Sequence, residues 1–152
     1  VCQTRRTGTM IALSRPMTEV LKNLGSEVAW LVHSNDGLDE VSISDKTFIH
    51  KFDSGHISEE VFEIKNTNIR PAKISEIVGG DASRNAKELI KIFKGEKNPY
   101  REIVSLNSAA ALVMCGYSRN IEDAIAISKE SLDSGKALQT LEHLISVSNR
   151  LD

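Results

Sequence analysis

The apolar run Val28-Ala29-Trp30-Leu31-Val32 ends abruptly at the polar segment His33-Ser34-Asn35-Asp36-Gly37-Leu38-Asp39-Glu40. An apolar run of strand length that does not alternate fits a strand buried on both faces of a parallel or mixed sheet. Before it, Met17, Val20, Leu21 and Leu24 recur at helical spacing, with Gly25 as a stop. A helix feeding a buried strand predicts an α/β layer. In open α/β sheets, ligands gather outside the carboxyl ends of the strands, which makes the acidic segment the first candidate for chemistry.

The candidates there are Asp36, Asp39 and Glu40. Neighbouring carboxylates in a loop suit Mg²⁺, a hard cation that takes one or two carboxylates together with waters and substrate phosphates. Gly37 allows the chain to turn sharply between them. A solvated acidic turn would have the same composition, so the motif alone does not choose between the two.

The segment V-H-S-N-D-G-L-D-E followed by V-S-I-S resembles the V-H-G-x-D-G-L-D-E segment of the anthranilate phosphoribosyltransferase family. Further matches are G-G-D-A-S-R-N-A at Gly79 to Ala86, G-E-K at Gly95 to Lys97, L-N-S-A-A-A-L at Leu106 to Leu112, and D-S-G-K-A at Asp133 to Ala137. Their order and spacing fit the family, and the likeness covers nearly everything from Pro16 onward. The resemblance implies a central mixed parallel and antiparallel sheet flanked by helices, as in the large domain of the anthranilate phosphoribosyltransferase and nucleoside phosphorylase class. It also implies Mg²⁺ as cofactor, with Asp39 and Glu40 as its ligands and Asp36 as support for the loop. No residue of this chain is assigned a catalytic role.

The implied reaction moves the phosphoribosyl group of phosphoribosyl pyrophosphate onto the amine of anthranilate, in tryptophan biosynthesis. The family's phosphoribosyl pyrophosphate loop, G-T-G-G-D, is not found in these 152 residues, and Gly79-Gly80-Asp81 is a different motif. The upstream helical domain and anthranilate-binding region are not found either. The expectation is therefore a C-terminal α/β part that contributes the metal loop and is inactive when isolated. Two alternatives remain: a scaffold or interaction module derived from this domain, able to self-associate as a homo-oligomer, and an enzyme like the pyrimidine nucleoside phosphorylases.

Composition narrows the classes. The 19 Lys and Arg against 21 Asp and Glu leave a net charge of -2, which offers nucleic acid no basic surface. Cys2 and Cys115 stand far apart, outside any C-x-x-C pattern, so neither a disulfide framework nor a zinc site is indicated. No stretch approaches the roughly 18 apolar residues of a membrane span, and the start has no signal-peptide core. The expectation is a cytoplasmic protein with a single α/β domain over residues 14–152, preceded by an irregular arm over residues 1–13. In that arm, Arg5-Arg6 reads as a solvated pair.

Along the rest of the chain, Ser14 and Pro16 mark a helix start. Short strands are expected at Val41 to Ser44, Thr47 to Phe52 and Ile57 to Ile64, the last two joined by the Asp53-Ser54-Gly55 turn, with His50 and His56 on the surface. A short helical turn is expected within Ile74 to Val78. Asp81, Asn98-Pro99, Asn120 with Asp123, and Ser134 mark four helix starts. Asn107 is expected to hydrogen-bond a neighbouring loop, and Cys115 to be a small buried hydrophobe rather than a nucleophile. His143 needs no special role, and Lys136 belongs to the D-S-G-K-A motif, which alone does not decide between structural support and substrate contact.

Overall fold

The computed structural model describes residues 7–150, with side chains from Leu13 onward. The element order is α1 (Thr7–Asn23), β1 (Val28–Ser34), β2 (Thr47–Asp53), β3 (His56–Phe62), α2 (Ala82–Phe93), α3 (Pro99–Met114), α4 (Ile121–Asp133) and α5 (Lys136–Ser148). Short 3₁₀ turns at Ile64–Asn66 and Ile74–Glu76 lie between β3 and α2. The chain is α/β as expected, but its sheet is not mixed. Its three strands, in the order β1-β2-β3, all pair antiparallel.

The antiparallel pairing has a physical cause. Ser34 pairs with Thr47, and the Asn35 N–H donates to the Lys46 carbonyl at 2.9 Å. The acidic segment is thus the loop of a wide hairpin, which fixes antiparallel pairing, whereas parallel strands would need a crossover. Continuous apolarity in β1 does not require burial on both faces either. Val28 is 38% exposed, and the half-buried Trp30 is covered by the Lys51 ammonium, 4.3 Å from the ring centroid. Long basic side chains cover apolar surface in this way while keeping the charge in water.

Val41 to Ser44 is not a strand. Val41, Ser42 and Ile43 are buried, yet their backbone bonds go to side chains and loops instead of a ladder. The irregular arm does not extend to Leu13, because α1 begins at Thr7; residues 1–6, including Cys2 and the Arg5-Arg6 pair, lie outside the described residues. Pro16 sits inside α1 instead of opening it. A proline marks a helix start only by preference: it removes one N–H wherever it stands, and the helix continues through it here.

Cross-strand pairs place Trp30 with Lys51 and Val32 with Ile49 on one face of the sheet. On that side Trp30, Val32 and Phe62 pack against a core of Val41, Ile43, Ile69, Ile103, Leu106, Ala109, Ala110, Ala124 and Ile125. The other face carries Leu31, His33, Phe48 and His50, and α1 packs on the same two strands. His50 is only 6% exposed, so its expected surface position was wrong; it lies 3.4 Å from Glu59, its partner across β3, while His56 in the turn is exposed.

Three helix starts follow the sequence closely. Asp81, Asn98 and Asn120 each accept a hydrogen bond from the backbone N–H three residues on, at 2.8, 3.0 and 2.8 Å. The fourth does not: Ser134 closes α4, and Gly135, at φ +78°, stands at the N-cap of α5. A left-handed residue is needed for so tight a turn between helices, and glycine supplies it without a Cβ clash. Cys115 is exposed rather than buried, because α3 ends at Met114 and the chain turns away at Gly116.

The Asn120 cap yields a direct test. Asn120→Ala should cost about 1 kcal/mol, lowering the thermal midpoint by roughly 2–4 °C. Melting followed by circular dichroism would show it, and an unchanged midpoint would mean that this cap contributes nothing.

Candidate metal-binding loop

Ser34 ends β1, and Gly37 adopts φ +93°, which only glycine reaches without strain. The Ser34 N–H donates to the Leu38 carbonyl at 2.9 Å, and the Gly37 N–H donates back to the Ser34 carbonyl at 3.0 Å. The turn is closed by Asp36, whose Oδ1 accepts the Leu38 N–H at 3.2 Å. Asp36 also accepts the hydroxyls of Ser42, at 2.5 Å, and of Ser44. Its carboxylate thus bridges the two ends of the loop. The role expected for it, loop support, matches these bonds.

Those bonds set its ionisation. Partial burial alone would raise the Asp36 pKa, but the hydrogen bonds from Ser42, Ser44, the Leu38 N–H and Ser34 outweigh it and hold the group below its usual value. A depressed carboxylate stabilises the fold above its unfolded pKa, about 3.9, and that contribution is lost as pH falls through the lower folded value. The midpoint difference between the native chain and Asp36→Asn should therefore be largest near neutral pH and shrink below about pH 4. A difference that stays constant across the acid range would contradict this role.

Asp39 is exposed and Glu40 half-buried. Burial pushes the Glu40 carboxyl up, and the negative charges of Asp39 and Asp36 push it in the same direction. Among the described residues no cation pairs with any of the three. Crowded carboxylates without a counter-charge are what a divalent cation would relieve. They do not form a cage, since no cluster of three or more ligating side chains occurs among the described residues. Two carboxylates on a fixed loop suit Mg²⁺, which takes its remaining ligands from waters and substrate phosphates, better than a structural ion. The donor set fits the expected metal.

Immediately after Glu40, the backbone of Val41 is held by α3. Its N–H donates to Asn107 Oδ1 at 2.9 Å, and its carbonyl accepts from Asn107 Nδ2 at 2.9 Å. Sequence reading anticipated that Asn107 would bond a loop; which loop became visible only in three dimensions. In the D-S-G-K-A motif, Asp133 and Gly135 have structural roles. Asp133 pairs with the buried Arg101 guanidinium at 2.8 Å, tying the end of α4 to the start of α3, and Lys136 is exposed. Gly79-Gly80-Asp81 is likewise a local device: Asn85 both accepts the Gly80 N–H at 2.8 Å and donates to the Gly80 carbonyl at 3.1 Å.

This fold has known counterparts. Residues 9–138 match the family described as "Glycosyl transferase family, a/b domain", and the chain belongs to that family. Within it, the chain is 42% identical over 134 residues to an anthranilate phosphoribosyltransferase of Bradyrhizobium sp. strain ORS 278, covering 88% of this chain and 40% of the relative. The anthranilate phosphoribosyltransferase of Brucella ovis is 43% identical over 136 residues, with 88% and 39% covered. Among solved structures, anthranilate phosphoribosyltransferase from Saccharomyces cerevisiae in complex with phosphoribosyl pyrophosphate and Mg superposes with a TM-score of 0.79 at 26% identity, covering 91% of this chain and 40% of that one. The chain spans about 40% of the length of the curated relatives it matches. No helix among the described residues is long and apolar enough to cross a membrane.

Proposed function

We propose that these 152 residues are the metal-loop part of an anthranilate phosphoribosyltransferase, with Asp39 and Glu40 as the ligands of Mg²⁺. The observation that carries the reading is the loop itself: two carboxylates without a described cation, held between the Asp36 hydroxyl bonds and the Asn107 clamp. The names of the relatives supply the substrates, phosphoribosyl pyrophosphate and anthranilate. The place in tryptophan biosynthesis and in the cytoplasm follows from the same reading.

In the proposed reaction the bond from ribose C1 to pyrophosphate breaks, a bond from C1 to the anthranilate nitrogen forms, and the amine loses a proton. Bound Mg²⁺ would neutralise the charge that builds on the departing pyrophosphate. The chain's own contribution is positional. Asp39 and Glu40 hold the ion, while Asp36 and Gly37 fix the loop so that little reorganisation accompanies the charge shift. With no G-T-G-G-D loop among these residues, the isolated 152-residue chain is expected to show no turnover.

The test joins this chain to the part of the Bradyrhizobium relative that it does not match and follows anthranilate fluorescence. Loss of fluorescence requiring both phosphoribosyl pyrophosphate and Mg²⁺ is expected. Phosphorolysis of thymidine or uridine in its place would move the chain to the pyrimidine nucleoside phosphorylases. A folded hybrid without either activity would contradict the reading.

One observation favours a second reading, an interaction or assembly module. Leu13, Met17 and Val20 recur along α1 at helical spacing and are exposed, and Leu24, just past the end of the helix, is 77% exposed. An apolar stripe of this kind fits an interface. Light scattering over a range of concentrations should show self-association if that reading holds; a monomer throughout would count against it.

A further inference from the structure

Asn107 is distant in sequence from the acidic loop, yet its side chain hydrogen-bonds the end of that loop to α3. Its side-chain oxygen accepts the Val41 N–H, and its side-chain nitrogen donates to two carbonyls, that of Val41 at 2.9 Å and that of Ile103 one helical turn earlier at 3.0 Å. The three bonds fix the amide in one orientation, because a flipped amide would set its nitrogen against the Val41 N–H and its oxygen against two carbonyls. Both backbone groups of Val41 are thereby held to α3. Val41 is 2% exposed, so neither group could turn to solvent instead. Glu40 is the next residue back, with Asp39 beyond it.

We infer that Asn107 is a positioning residue for the Asp39–Glu40 metal pair, setting where those carboxylates stand through the Val41 backbone. The inference rests on the metal reading above and adds a residue that touches neither metal nor substrate. The chemistry at this point demands asparagine. Aspartate would keep the acceptor for the Val41 N–H but set a second oxygen against two carbonyls. Leucine would keep the approximate shape and offer neither bond, leaving the buried Val41 groups unpaired. Groups that orient metal ligands from behind typically change affinity by about 10–100-fold when removed.

The experiment measures Mn²⁺ binding to the 152-residue chain by electron paramagnetic resonance, with the metal alone as probe. Asn107→Asp and Asn107→Leu should each weaken binding by about tenfold or more. Ile125→Val, a core change in α4 that also lowers the thermal midpoint, should leave Mn²⁺ affinity unchanged; that separates positioning from general stability. If the Asn107 variants bind like the native chain while Asp39→Ala/Glu40→Ala does not bind, the inference on Asn107 fails alone. If the double variant also binds like the native chain, the metal reading fails and the inference with it. Should the Asn107 variants not fold, Mg²⁺ titration of the native chain followed by ¹⁵N NMR decides. The Asn107 side-chain amide and the Val41 amide should shift together with Mg²⁺, and an unmoved Asn107 signal would overturn the inference.

Discussion

Changing Asp39 and Glu40 together to alanine in the hybrid enzyme is expected to lower the rate of phosphoribosyl transfer by at least about a thousandfold, roughly 4 kcal/mol of transition-state stabilisation. The size follows from what the pair is proposed to do. Charge develops on the leaving pyrophosphate, and without its two carboxylates the loop has nothing to hold the neutralising ion there. The fold should not suffer. Neither side chain makes a described ion pair, and burial together with the charges of Asp39 and Asp36 already disfavours ionised Glu40. The double variant should therefore melt no lower than the native chain. A folded double variant that retains most of its rate would remove these residues from the reaction.

The largest expected effect on stability lies at Leu106. Its side chain is fully buried in the core cluster that also holds Val41 and Ile43 of the loop segment and Ala124 and Ile125 of α4. Leu106→Ala should cost about 3 kcal/mol, from lost apolar burial and from the cavity left in a tightly packed site. For a chain of this size that corresponds to a fall of about 6–12 °C in the thermal midpoint. Because Leu106 neighbours Asn107 in sequence, Mn²⁺ binding should also weaken as the midpoint is approached. A loss below about 1 kcal/mol would mean that the core collapses around the gap, and that α3 is a softer support for the loop than its burial suggests.

Much of the site was legible before the fold. Asp36, Gly37, Asp39 and Glu40 stand within five positions, and residue chemistry alone identifies an acidic turn with a glycine bend. The division of labour among the carboxylates was legible only through family resemblance, and hydrogen bonds now give Asp36 its reason: the Ser42 and Ser44 hydroxyls occupy it. Helix starts at Asp81, Asn98 and Asn120 were readable because a cap is a local bond, made within three residues. Asn107 was only half readable, since its donor and acceptor pattern is visible in the residue but its partner, Val41, depends on how α3 packs.

Three of the misreadings share one cause, which is that a neighbour on another element decided the outcome. The run at Val28 to Val32 looked like a strand buried on both faces, and Lys51 on the next strand covers Trp30 instead. His50 looked like a surface residue beside a turn, yet it faces the α1 side of the sheet and is buried. Val41 to Ser44 had the composition of a strand, and Asn107 and Thr47 side chains took the bonds that a strand partner would have made. Cys115 read as buried from its residue type, but the end of α3 leaves it exposed.

The assignment of Asp39 and Glu40 stands or falls on whether this loop holds a divalent cation. Mn²⁺ titration of the 152-residue chain, read by the loss of the free-ion paramagnetic signal, answers it without substrate or a partner domain. One site that disappears in Asp39→Ala/Glu40→Ala is the predicted result. Equal binding by the two proteins, or no binding by the native chain even with phosphoribosyl pyrophosphate added, would contradict the assignment of the loop.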